Sequence, residues 1–160
     1  MKKLLVLYIF SLLFLGCADS IPDMPQMEIT GIYISGDENE TNYANKYHTM
    51  PILRPGDEVD ILFDLKGNGN DLRTFIVSNE NSNIQTSMWF MADEVSDEFS
   101  DFDKGNLVFV DGVSETGLTV KAKITGASDD ASLLTFYLFS KATACSGAEL
   151  RLAFTIEDYK

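Results

Sequence analysis

The chain has 160 residues, 45% apolar and 23% charged, with 12 lysines and arginines against 25 aspartates and glutamates and a formal net charge of −13 at pH 7. That length is enough for one domain with a real core, and the apolar share excludes a disordered chain. A surface this acidic repels phosphate backbones, so no nucleic acid is expected among its partners.

Lys2 and Lys3 precede an apolar run from Leu4 to Leu15. The run is shorter than the roughly 20 residues of a helical membrane span, and it has the length and flanks of an export signal. It ends in Leu15-Gly16-Cys17, which resembles the lipobox of bacterial lipoproteins. Phe14 stands where that family more often has leucine. The resemblance implies that residues 1–16 are removed and that Cys17 becomes the lipidated first residue. It also implies a bacterial cell envelope location, at the outer membrane, with the membrane as a partner through the lipid. Two or three acyl chains, at about 0.8 kcal/mol per buried methylene, hold a small domain persistently. Residues 17–26, with Pro22 and Pro25 and no apolar period, read as a tether to a domain over 27–160. Within it, Asp19-Ser20-Ile21 resembles the tripeptide that Bacteroidetes O-glycosylate on exported proteins, which implies a glycan at Ser20. An acylated Cys17 leaves Cys145 without a partner in the chain, and burial as a small apolar residue is the expectation.

From residue 27 the apolar period is two. Val59, Ile61, Phe63 and Leu65 alternate with Asp60, Asp64 and Lys66, and Leu118, Val120, Ala122 and Ile124 with Thr119, Lys121 and Lys123. Leu150, Leu152, Phe154 and Ile156 repeat the pattern. These are half-buried strands with one wet face. On that register an acid is intolerable at position 120 and tolerable at 121. The run 133–139 is apolar on both faces and belongs in the middle of a sheet. Weaker strands are expected over 29–34, 72–78, 84–91 and 107–110, and a helical turn within 91–99. Arg54-Pro55-Gly56-Asp57, Gly67-Asn68-Gly69-Asn70-Asp71 and Asp111-Gly112 supply the turns. The spacing predicts an all-β, antiparallel sandwich of about seven or eight strands.

The run from Met50 to Val77, a proline-glycine turn followed by alternating apolar residues and a glycine-asparagine turn, resembles immunoglobulin-like domains of small Bacteroidetes lipoproteins, some akin to cadherin or PKD modules. The resemblance implies an immunoglobulin-like fold and says nothing of activity. The cysteine pair of antibody domains is missing.

No catalytic residue stands out. A single histidine, His48, lies in a polar loop, and neither a serine-hydrolase motif nor a zinc ligand set is present. Asp93, Glu94, Asp97, Glu98, Asp101 and Asp103 crowd one stretch, which reads first as a solvated loop. Asp97, Asp101 and Asp103 are the candidate calcium ligands, since calcium takes several close oxygens. An EF-hand fails, because Gly105 stands where an oxygen ligand is needed. Tyr43, Tyr47 and Trp89 are candidate ligand contacts, tyrosine and tryptophan being residues that grip proteins and sugars. Trp89, set among Met88, Phe90 and Met91, reads more readily as core. The leading expectation is a membrane-anchored, non-enzymatic lipoprotein module that binds a protein or glycan. The rivals are a structural envelope component without a ligand and a calcium-dependent adhesion or carbohydrate-binding module. An exposed aromatic patch favours binding.

Overall fold

In a strand every second side chain points the same way, so an alternating sequence offers one apolar face that must be covered. The computed structural model covers those faces by stacking two sheets, and it describes residues 24–127, 131–143 and 147–158. Cys17, Ser20 and Cys145 lie outside the described residues. The strands are β1 (Gln26–Ile34), β2 (Glu58–Lys66), β3 (Leu72–Asn79), β4 (Ile84–Trp89), β5 (Asn106–Val108), β6 (Glu115–Ile124), β7 (Ser132–Ser140) and β8 (Ala148–Phe154). One sheet runs β1-β2-β6-β4 and the other β5-β3-β7-β8, every named pairing being antiparallel. The protein is an all-β sandwich. Short 3-10 turns at Tyr47–Thr49, Ala92–Glu94 and Phe102–Lys104 interrupt the connections, the second falling within the expected helical turn.

The register follows the alternation. Val59, Ile61, Phe63 and Leu65 face inward, opposite Ala122, Val120, Leu118 and Thr116 on β6. Leu72, Phe75 and Val77 on β3 and Leu134, Phe136 and Leu138 on β7 close the core from the other sheet. Its centre is a trio of rings. Phe63 meets Phe75 edge-on at 5.4 Å between centroids and Phe136 at 4.8 Å, joining the sheets. As expected for a strand apolar on both sides, β7 lies inside its sheet, although Leu133 on its second face stays exposed.

The sandwich begins earlier than the composition of the tether suggests. Pro25 is buried, Asn68 donates from its amide to the Met24 carbonyl at 2.7 Å, and β1 starts at Gln26. Proline is tolerated there because the start of an edge strand needs no ladder donor.

Three of the four sheet edges are covered by the chain itself over part or all of their length. On β1, Asn42 accepts from the Ile32 N–H at 3.1 Å and donates to the Thr30 carbonyl at 3.0 Å, while the Tyr43 N–H donates to the Ile32 carbonyl. At the end of β8 the Tyr47 hydroxyl donates to the Ala153 carbonyl at 3.2 Å, and just past the strand Leu53 pairs with Ile156. Residues 94–96 pair with 108–110 outside β5, with Val95 opposite Phe109. The Ser100 hydroxyl accepts from the Val108 N–H at 2.9 Å. Covered edges cannot template pairing with another chain.

The outer face of β2 and β6 carries charge. Lys121 lies 3.3 Å from Glu58 and 3.5 Å from Asp60, and Lys123 lies 3.6 Å from Glu58. The expectation that an acid is harmless at position 121 is therefore corrected, because Lys121→Asp would leave three carboxylates facing one another. The hydrogen bond from Lys121 holds the Glu58 carboxyl below its usual range, and the Gly112 N–H does the same for Asp71. A carboxyl lowered in the folded state stabilises above its unfolded pKa, and that contribution is lost as pH falls through the folded value. Lys121 and Lys141 are raised by their carboxylate partners Glu58 and Asp111. Their contribution is present below the unfolded lysine value and lost as pH rises through the folded one. The melting temperature should therefore stay flat between about pH 5 and pH 9 and fall on either side. Glu58→Gln should flatten the acid limb in a thermal melt series. A melt profile as steep in that variant as in wild type would refute the assignment.

Candidate functional site

The structure separates the three aromatic candidates. Tyr43 is half-buried against the core and donates from its hydroxyl to Asp37 at 3.2 Å. Tyr47 covers β8 and lines a 180 Å³ pocket with His48, Met50 and Pro51. Both belong to the side where β1 meets β8, and both serve to close an edge. Trp89 ends β4 at the far edge of the first sheet, with β2 and β6 between. Three strand spacings put it about 14 Å from β1.

Trp89 is 69% exposed, which overturns the core reading. The ladder with β6 explains why. Gln85, Ser87 and Trp89 stand opposite Lys123, Lys121 and Thr119 on the outer face, while Ile84 and Met88 turn inward. Apolar residues on both sides of Trp89 had concealed that parity.

The chain then descends from β4 to the second sheet through residues 90–105, and apolar side chains stay outside along it. Met91 is 62% exposed, Phe99 67% and Phe102 41%. Phe102 stacks on the half-buried Phe90 at 5.2 Å between centroids. The segment is held in place. Val95 is buried, Thr116 donates to the Glu94 carboxylate, and the Ser100 hydroxyl donates to the Ser96 carbonyl at 2.7 Å. Phe99 and Phe102 are masked in the sequence by the acids around them, Glu98, Asp101 and Asp103. The signal was there in Glu98-Phe99-Ser100-Asp101-Phe102-Asp103, aromatics interleaved with acids outside any strand.

Gly105 locks the lower turn. It has φ 69°, accepts from the Val77 N–H at 2.8 Å, and an added Cβ would stand 2.4 Å from the Val77 carbonyl oxygen. Gly112, at φ 93°, has nothing within 4 Å of its Cβ direction. Gly112→Ala should cost about 1–2 kcal/mol for backbone handedness alone. Gly105→Ala should cost clearly more and speed amide exchange at Val77, as read by denaturant melts and hydrogen exchange. Equal costs at the two positions would contradict the close approach.

The same segment holds six acids and one lysine, Lys104. Asp101 is engaged within the turn, accepting from the Lys104 N–H at 3.2 Å and from its ammonium at 2.7 Å. That ammonium lowers the Asp101 pKa. Asp97 and Asp103 are exposed. Among the described residues no three histidine, cysteine, aspartate or glutamate side chains stand where they could share a metal ion. Asp97, Asp101 and Asp103 are thus not brought together, and the geometry gives the calcium reading no support. Beside the patch, Val77, Asn79, Gln85, Thr86, Asp103 and Lys104 line a 450 Å³ groove between β4 and the turn.

The end of β4 and the connection after it combine exposed apolar side chains with exposed acids. Such apolar side chains can exclude water against a partner, and the acids favour cations. A search of curated proteins finds no match to the chain, and a family described as a domain of unknown function matches residues 17–155.

Proposed function

The chain belongs to the domain of unknown function family DUF5035, and from that premise we propose that it is a membrane-anchored, non-enzymatic module that binds a protein or glycan partner at the bacterial cell envelope. One observation carries the binding half: Trp89, Met91 and Phe99, at the end of β4 and in the connection that follows it, are each more than three-fifths exposed. Large apolar side chains grouped at the surface mark interaction sites, because leaving them in water brings no stability. The reading as an envelope component without a ligand gives them no role.

The anchor rests on the signal and Cys17. Anchored there, the sandwich meets its tether where β1 begins and presents the patch on its flank. The non-enzymatic half rests on the sequence, whose single histidine lies outside any serine-hydrolase or zinc motif.

The immunoglobulin-like type is supported by strand order. Constant-type domains pack strands A-B-E-D against C-F-G. Here β1-β2-β6-β4 packs against β3-β7-β8, with β5 added beside β3. Phe63, Phe75 and Phe136 then fall on strands B, C and F, where antibody domains carry their cysteine–tryptophan–cysteine cluster. The glycan at Ser20 is part of the proposal for the native host, and intact mass with and without Ser20→Ala tests it.

Binding is tested by screening the detergent-purified chain against glycan and envelope-protein arrays. Trp89→Ala and Phe99→Ala should each lower retention of a captured partner about tenfold or more, as hot-spot aromatics do, with the melting temperature unchanged. Retention equal to wild type in both variants would end this reading of the patch.

A further inference from the structure

We infer that the outer edge of β4 is a strand-addition site for an extended peptide segment of a partner carrying basic and apolar residues in alternation. The inference rests on the binding role of the Trp89 patch and names what that surface recognises.

The backbone parity is fixed by neighbouring bonds. The Thr125 N–H donates to the Asn83 carbonyl, whereas Ile124 bonds to Gly56 and Asp57 on the β2 side. In an antiparallel ladder the direction alternates. Gln85, Ser87 and Trp89 therefore bond toward β6, and the N–H and C=O groups of Thr86 and Met88 point away from it. Among the described residues nothing pairs with those four groups. Asn79 reaches this edge only at its start, where its amide donates to the Ile84 carbonyl at 2.8 Å. The furnishing of this edge is the argument: β5 is closed by residues 94–101, β1 from Thr30 onward by Asn42 and Tyr43, and β8 only at its end by Tyr47, but of the open stretches β4 is the one that ends in the exposed Trp89. Leaving an edge open exposes a pairing template, which proteins ordinarily avoid.

The open edge is also furnished. The 450 Å³ groove runs along Gln85 and Thr86, and an added strand would lay alternate side chains beside Trp89 on one face and into that groove on the other. Charge chooses the occupant. Asp93, Asp97, Glu98 and Asp103 are exposed along the adjoining connection. A segment with basic residues gains from them, whereas a second copy of this chain, itself at −13, brings its own acids to the same edge.

The probe is an acetylated heptapeptide alternating lysine and valine, with a glutamate–valine counterpart, titrated into the detergent-purified, isotopically labelled chain. The lysine peptide should slow amide exchange at Thr86 and Met88 by about tenfold or more at saturation, and added salt should weaken it. The glutamate peptide should do neither. Thr86→Pro removes one outward N–H without removing a bond to β6, so it should abolish binding while the melt stays cooperative. Should that variant not fold, wild-type exchange with the two peptides decides alone. Lack of protection at Thr86 and Met88, or equal binding of both peptides, overturns the inference. A dimer in sedimentation that Thr86→Pro disperses also overturns it, in favour of self-pairing. Loss of a captured partner in Trp89→Ala but not in Thr86→Pro leaves the patch as the binding surface and removes strand addition.

Discussion

Val120→Asp should leave the chain without a cooperative unfolding transition, while Lys121→Thr, one residue along, should shift stability by no more than about 1 kcal/mol. Val120 is fully buried, opposite Ile61 on one side and Met88 on the other. Among the described residues the core holds no cation to pair with a carboxylate there, and protonating it still leaves a polar group among hydrocarbon. With net stability of domains near 5–15 kcal/mol, one unpaired buried charge consumes most of it. Lys121 points the other way, its side chain about one-third exposed. Removing it loses an ion pair screened by water. Circular dichroism melts of the two variants test the register of the whole first sheet, since a slip by one residue would exchange their phenotypes. Similar melts would sink it.

Cys17→Ala should move the protein from the membrane fraction to the soluble fraction or leave it at unprocessed mass. Among the described residues no helix is long and apolar enough to cross a bilayer. The proposed anchor is a set of acyl chains on Cys17, whose attachment scales with the methylenes buried. Fractionation with intact-mass analysis reads both outcomes. A variant that stayed in the membrane at mature mass would dismiss the lipid anchor.

Much of the sandwich was legible because alternation reports burial directly. Residues 59–65 and 118–124 show one face each, and the structure buries those faces. Trp89 was not legible for the same reason in reverse. With Met88 and Phe90 beside it, parity along a six-residue strand has no polar marker to set its phase. The roles of Tyr43 and Tyr47 were hidden by distance. Tyr47 meets Ala153, 106 residues away, and no local pattern announces which edge a loop will close. The site as a whole depends on topology. An open edge is a property of what the loops cover, and only the complete strand order reveals that Trp89 stands at one.

The ring trio at the centre has a kinetic consequence. Phe63, Phe75 and Phe136 join the sheets by contact alone, and the stretch from residue 18 to 144 contains no cysteine. Closing the core therefore waits on no oxidant, where thiol pairing takes seconds to hours. What sets the pace is the search for distant partners, such as Glu58 with Lys123, and sandwiches of such pairings fold in about milliseconds to seconds. Refolding of the chain should proceed at one rate whether or not a reductant is present.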